Sequence, residues 1–238
     1  MNHDDKARFG EYEARGDYHR KIDRNWHYYP VYVEKMAFVR RYLDRVGTSA
    51  RIIDLGCGEG LLVEEYRAKG FDIRGVDAHY SSDCVERGSI TKLSHADRSY
   101  DCVMALDVIE HLQFEQQEAA IGEIYRILRP GGRALISVPN LAHLASRVAF
   151  FALGRLIRTS EANRHPGDRP IAEYLKLTRA AGLRLVSRKG IFPTLPVTSA
   201  VTALSPRHAL PLHKLVNRLF ALPDICFLNM LEFERPAG

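Results

Sequence analysis

The sequence predicts an α/β protein whose mainly parallel sheet is doubly wound, with helices on both faces. Three observations predict it. Short, apolar, β-branched stretches alternate with segments of helical periodicity along most of the chain. One of these stretches, Arg51 to Leu55, runs directly into a turn of alternating glycines, Gly56, Gly58 and Gly60. The chain's 238 residues, 46% hydrophobic and 26% charged, suffice for one full core and are ordinary for a globular domain.

Residues 1–46 are rich in aromatic residues and arginine, among them Tyr12, Tyr18, His19, Trp26, His27, Tyr28, Tyr29 and Tyr32. Pro30 suits the first turn of a helix, and Val31, Met36, Val39, Tyr42 and Leu43 recur at helical spacing behind it. This region is expected to form an N-terminal helical lid, set apart from a main domain over 47–238. Arg51 to Leu55 is the first strand. The glycines then bend the backbone and leave room for a ligand where a Cβ would stand. A helix follows from Leu61 to Lys69, with Gly70 placed to end it. Phe71 to Asp77 is the second strand, and Val85 to Ile90 the third. The third begins eight positions after Asp77, too soon for a full crossover, which takes roughly ten to twelve residues. Asp101 to Leu106 is the fourth strand, leading into Asp107-Val108-Ile109-Glu110-His111-Leu112. A helix over 114–128 is broken by Arg129-Pro130-Gly131-Gly132, and Arg133 to Val138 is the fifth strand. Two later stretches, 141–182 and 193–222, carry apolar runs studded with arginine and are expected to cap the substrate end of the sheet.

The glycine turn sits between a strand end and a helix start, where backbone N–H groups converge. Its spacing is G-x-G-x-G and not the G-x-G-x-x-G of dinucleotide folds. Glu59 stands where a pyrophosphate would approach, a poor electrostatic pairing, whereas a ligand bearing an amine and a sulfonium suits it. Asp54, at the end of the first strand, is placed to meet such a cation. Asp77 lies 23 residues later at the end of the second strand, the position from which an acid accepts hydrogen bonds from ribose hydroxyls.

Residues 51–62 resemble the first motif of class I S-adenosylmethionine (SAM) dependent methyltransferases. The succession of that motif, the acid-ended second strand, YDCVMALDVIEHL, ILRPGG and ALISVPN is similar to this domain from Arg51 to Asn140. Leu183 to Gly190 and Cys226 to Glu234 resemble its sixth and seventh strands more distantly. The resemblance implies a Rossmann-like, seven-stranded sheet with the last strand antiparallel, and SAM as donor. Gly56, Gly58, Gly60 and Asp54 would hold its aminoacyl end, Asp77 its ribose, and Ser89 with Ile90 its adenine. Cys57, Ala78, Asp107 and Val108 complete the expected donor contacts. The acceptor is expected to be a small molecule, most simply through an oxygen of a sugar, phenol or lipid-linked metabolite. Nucleic-acid methylation and a non-catalytic, SAM-binding scaffold are the alternatives.

An oxygen acceptor must lose a proton. His111, after the fourth strand, and His165, in the turn-rich NRHPGDRP segment with Asp168, are the candidate bases. The principal reading holds no metal. In the alternative, Asp107, Glu110 and His111 ligate Mg²⁺, because the pattern resembles the Glu-x-x-Glu-His cluster of small-RNA 2′-O-methyltransferases and ubiquinone-type catechol O-methyltransferases, with Asp107 in place of a Glu.

The net charge of +5 is uneven: residues 147–238 hold 14 Lys and Arg against 6 Asp and Glu. That excess favours an anionic or lipid-linked acceptor and leaves peripheral membrane contact or a homodimer open. The arginines are interleaved with leucine and form no polar basic stripe, so no stable nucleic-acid partner is expected. The four cysteines form no C-x-x-C pair, and no signal or membrane span is readable, so a cytoplasmic location is expected.

Overall fold

The computed structural model describes residues 22–154 and 165–237. The first part of the expected lid, with Tyr12, Tyr18 and His19, and the stretch of the cap containing Arg155 and Arg158 lie outside the described residues. Seven strands form one sheet in the order β3-β2-β1-β4-β5-β7-β6. They are β1 (Arg51–Leu55), β2 (Asp72–Asp77), β3 (Val85–Arg87), β4 (Tyr100–Leu106), β5 (Leu128–Pro139), β6 (Arg184–Pro193) and β7 (Cys226–Glu234). The pairs from β3 to β5 are parallel, and β7 runs antiparallel between β5 and β6.

Strand alternation sorts side chains into two cores. Ile53, Leu55, Val103, Ala105, Ile136, Val138, Leu231 and Phe233 face one way. There they meet α3 (Phe114–Ile127) and α5 (Ile171–Ala180) through Ile121, Ile124, Ile171 and Tyr174. Ile52, Ile73, Cys102, Met104, Leu135 and Met230 face the other way, under α1 (Tyr29–Val46) and α2 (Leu61–Ala68). Helix α1 takes Pro30 in its first turn and buries Val31, Val39, Tyr42 and Leu43 in this second core. The N-terminal helix is therefore part of a core layer.

Two elements differ from expectation. The third strand stops at Arg87, short of Ile90. Ser89 turns back on Lys92, and Ile90 drops into the first core. The Pro-Gly-Gly break between helix and fifth strand is instead the start of β5. Gly131, at φ +79°, donates to the Arg235 carbonyl, and Arg235 donates back to the Gly132 carbonyl. Backbone from beyond β7 thus supplies the ladder that keeps this segment extended. The segment between β2 and β3 contains no helix, as the short spacing required.

From the carboxyl end of β5 the chain runs into α4 (Leu144–Leu153), and from that of β6 into α6 (Pro196–Leu204) and α7 (Pro206–Phe220), which packs against β6 and α1. His143 caps α4 by accepting from the Ser146 N–H, and the Ala145 N–H donates to Thr194 Oγ1 just ahead of α6. The roots of the two cap segments are thereby joined.

Candidate active site

The carboxyl ends of β1, β2 and β4 converge on the glycine turn. Gly56, Gly58 and Gly60 all have positive φ, +70°, +57° and +79°. A Cβ on Gly56 would overlap the Val108 side chain, and one on Gly60 would overlap Val85. The turn is tied to β2 by the Gly56 N–H donating to the Val76 carbonyl at 2.7 Å, and α2 starts at Gly60.

Asp77 organises this cradle. Its Oδ2 accepts from the Gly58 N–H at 2.8 Å and its Oδ1 from the His79 and Tyr80 N–H groups at 2.9 and 3.3 Å. The acid at the end of β2 thus grips the glycine turn itself, with Ala78 next along the chain. Cys57 Sγ lies over Gly75, where no side chain intervenes. Burial raises its thiol pKa far above the ordinary range, so Cys57 packs and does not react.

Asp54 and Ser137 project from the sheet face that α1 covers, and α1 delivers Lys35 to them. Lys35 Nζ lies 2.7 Å from Asp107 Oδ2, with both side chains about nine-tenths buried. Tyr28 donates to the same oxygen at 3.1 Å, and Ser137 donates to Asp107 Oδ1. Burial raises the Asp107 pKa, but Lys35 and the hydrogen bonds from Ser137 and Tyr28 outweigh it and hold the carboxyl below its usual value. Asp107 also sits at φ +53°, a strained conformation for a residue with a Cβ. Asp54 has no such set of donors. Desolvation pushes its pKa up to about 7, opposed by Lys35 and assisted by Asp77. Lys35 and Tyr28 were not legible as site residues. A lysine at an otherwise apolar position of an amphipathic helix was the available signal.

A 3₁₀ turn, Ile109–His111, follows β4. Val108, which begins it, packs on Gly56, so His111 lies three residues from the cradle wall. The His111 and His165 rings meet edge to face, with centroids 4.3 Å apart. The two candidate bases, 54 positions apart in the chain, are thus brought together. His165 Nδ1 lies 3.4 Å from Asp168 Oδ1, and the His165 N–H donates to Asp168 Oδ2. The loop is fixed from below. Gln117 Nε2 donates to the Gly167 carbonyl at 2.7 Å, Tyr174 donates to the same oxygen, and Arg169 donates to Gln117 Oε1. Gly167 is required there, since a Cβ would overlap Gln117 and the Leu112 carbonyl.

Ser89 and Ile90 follow the carboxyl end of β3. The Ser89 hydroxyl pairs with Thr91 and Ile90 is core. The alternative metal set does not assemble: no metal-binding group of three such side chains occurs among the described residues. The physical reason is that the Asp107 carboxylate is already committed to Lys35, Tyr28 and Ser137. The cradle does fit SAM: a turn with no space for side chains, a carboxylate at each flanking strand end, and a buried Asp54 without a hydrogen-bond donor among the described residues.

Comparison with known proteins agrees. A methyltransferase-domain family model matches residues 25–188. A ubiquinone biosynthesis O-methyltransferase of Rhizobium etli is 27% identical over 158 residues, covering 60% of this chain and 63% of that protein. The chain therefore spans somewhat under two thirds of that relative's length. A probable SAM-dependent methyltransferase of Mycolicibacterium smegmatis is 32% identical over 151 residues, covering 59% of this chain and 54% of its own. Among solved structures, a SAM-dependent methyltransferase from Archaeoglobus fulgidus superposes with a TM-score of 0.60 at 18% identity, covering 94% of this chain and all of the other. The [4+2]-cyclase SpnF shares the fold as well, with a TM-score of 0.53 at 16% identity over 79% of this chain and 76% of its own. The glycine cradle, the acid that grips it and the family match across residues 25–188 agree, and the chain belongs to the methyltransferase-domain family of class I, SAM-dependent methyltransferases.

Proposed function

We propose that this protein is a SAM-dependent methyltransferase that methylates an oxygen of a small molecule, a sugar, phenol or lipid-linked metabolite. The observation that carries this reading is the pairing of His111 with His165, His111 standing in the turn that follows Val108, whose side chain packs on Gly56. Bound in the cradle, SAM supplies a methyl group on a sulfonium, and the protein needs only to align an acceptor and take its proton. Gly56, Gly58 and Gly60 bind the aminoacyl end, Asp77 and Ala78 the ribose, and Ser89 and Ile90 the adenine side. Cys57 and Val108 wall the turn. Asp54 offers a negative charge to the ammonium group. Lys35, held by Asp107, offers a positive one to the carboxylate.

His111 accepts the acceptor's hydroxyl proton. Asp168 beside His165 Nδ1 favours the tautomer whose Nε2 accepts, so His165 orients or relieves His111. The name of the R. etli relative, an O-methyltransferase of ubiquinone biosynthesis, supports an oxygen acceptor. The basic cap supports an anionic or lipid-linked one. Helix α1 and the turn before it bring Lys35 and Tyr28 to the site as a fixed wall.

The test has two parts. Titration calorimetry must show SAM binding. Methyl transfer from labelled SAM is then screened over phenolic, sugar and isoprenoid-linked acceptors. With the acceptor in hand, His111→Gln is expected to lower kcat by about 10²–10⁴-fold at unchanged SAM affinity. An unaltered rate removes His111 as the base.

A further inference from the structure

Helices α4 and α6 are built inside out. The buried residue of α4 is Ser146, and those of α6 are Thr198 and Thr202. Their large apolar side chains face outward instead. Phe151 is 94% exposed, Leu204 87% and Val197 69%, and Val148, Phe150 and Leu153 are exposed with them. Helix α7 adds Leu215, Leu219 and Phe220, and Leu222 follows it, all exposed. Exposed apolar side chains scattered singly are unremarkable, but so many on two packed helices, α6 and α7, and on α4, which is joined to them at its root, call for a covering.

Charge decides what the covering is. Residues 141–154 and 190–223 contain no Asp or Glu. On α7, Arg207, Lys214 and Arg218 are all exposed and fall on one stripe at spacings of seven and four. Leu215 and Leu219 follow Lys214 and Arg218 by one position, so a leucine stripe runs alongside the cationic one. A second copy of this face would bring cation against cation. The segment outside the described residues at the N-terminus, 1–21, carries five acidic and five basic residues and few apolar ones. It offers neither the charge nor the apolar area required. Apolar side chains rimmed by lysine and arginine, on segments without a single acid, match an anionic bilayer interface.

We infer that α4, α6 and α7 form a docking surface for an anionic lipid membrane. Phe150, Phe151, Leu204 and Leu219 enter the head-group boundary, while Arg207, Lys214 and Arg218 meet lipid phosphates. Both cap segments leave the sheet at the carboxyl ends of β5 and β6, the end at which the glycine cradle opens. Docking therefore turns the site's mouth toward the bilayer. The surface stands on its own residues, independent of the acceptor proposed above.

The test is co-sedimentation of the full chain with vesicles, with SAM affinity measured in parallel as the report on folding. The protein is expected to pellet with vesicles of mixed phosphatidylglycerol and phosphatidylcholine, and not with phosphatidylcholine alone. High salt should weaken the binding. Arg207→Gln/Lys214→Gln/Arg218→Gln is expected to lower the partition coefficient on the order of a hundredfold, with each cation near the surface contributing roughly fivefold. Phe151→Ser/Leu204→Ser should lower it by at least about tenfold, given the transfer free energy of two large apolar side chains. SAM affinity should be unchanged in both variants. Absence of binding to anionic vesicles, equal binding to neutral ones, or variants that bind like the parent would overturn the inference. So would a dimer that Phe151→Ser/Leu204→Ser dissolves, which would assign the face to a second copy.

Discussion

At the scale of single residues, the site rests on positions where only one residue type fits. Gly56→Ala places a methyl group into Val108 at a left-handed φ that costs an L-residue about 1–2 kcal/mol before any overlap. The expected result is SAM affinity lowered at least tenfold, read by calorimetry, and Gly58→Leu should act likewise at φ +57°. Asp54 makes a prediction about pH. Its carboxyl titrates near 7 in the protein because burial disfavours the charge. A cationic ligand favours the ionised form, so binding must expel the proton whenever the pH lies below that value. SAM affinity should thus weaken by up to about tenfold per pH unit on going below pH 7, and Asp54→Asn should flatten the profile. A parent profile flat from pH 8 to pH 5 would separate Asp54 from the ligand. In the sequence, the turn of Gly56, Gly58 and Gly60 was legible because backbone geometry demands glycine there, whereas the hold of Asp77 on the Gly58 N–H was not. Lys35 was not, because a lysine in a helix is ordinarily solvated and only packing of α1 over β4 makes it a partner of Asp107.

At the scale of elements, α1 is held to the sheet by that ion pair as well as by its apolar face. Lys35→Met leaves Asp107 buried opposite no cation, a loss expected to cost about 3–5 kcal/mol in urea unfolding. The pair also responds to acid. The Asp107 pKa is depressed, so its contribution is complete above the ordinary carboxylate range and disappears as pH falls through the lowered value. The hairpin of α6 and α7 has its own acid sensitivity. His213 is fully buried, stacked on Phe192 at 4.2 Å, with Nε2 2.6 Å from Thr202 Oγ1. Desolvation lowers its pKa from 6.5 to about 4. The unfolded hairpin therefore takes up a proton first, and stability falls as pH drops from 6.5 toward 4. The hydrogen-exchange protection factors in α7, corrected for the pH dependence of intrinsic exchange, should fall over that interval, and His213→Phe should remove the dependence. Helices and strands were read nearly to their ends where periodicity was strong. The Pro-Gly-Gly start of β5 was misread because its hydrogen-bond partner, Arg235, lies a hundred residues away in sequence.

At the scale of the whole molecule, residues 1–46 are divided from the rest by sequence character, yet α1 closes the second core. Val31, Met36, Val39, Tyr42 and Leu43 are all buried there. At roughly 1.5–3 kcal/mol for each buried side chain, their loss rivals the 5–15 kcal/mol that stabilises a typical domain. A chain lacking residues 1–46 should show no cooperative thermal transition by circular dichroism, whereas a detachable lid would leave one. The sequence by itself determined the strand succession, the glycine turn and the family resemblance, because glycine backbone freedom, strand period and acid placement are local requirements. Tertiary structure alone decided that His111 and His165 meet, that Lys35 neutralises Asp107 and so displaces a metal reading, and that the cap turns its apolar side outward. Each depends on contacts between distant segments, and distance in space is set by the packing of the whole sheet, which no local pattern encodes.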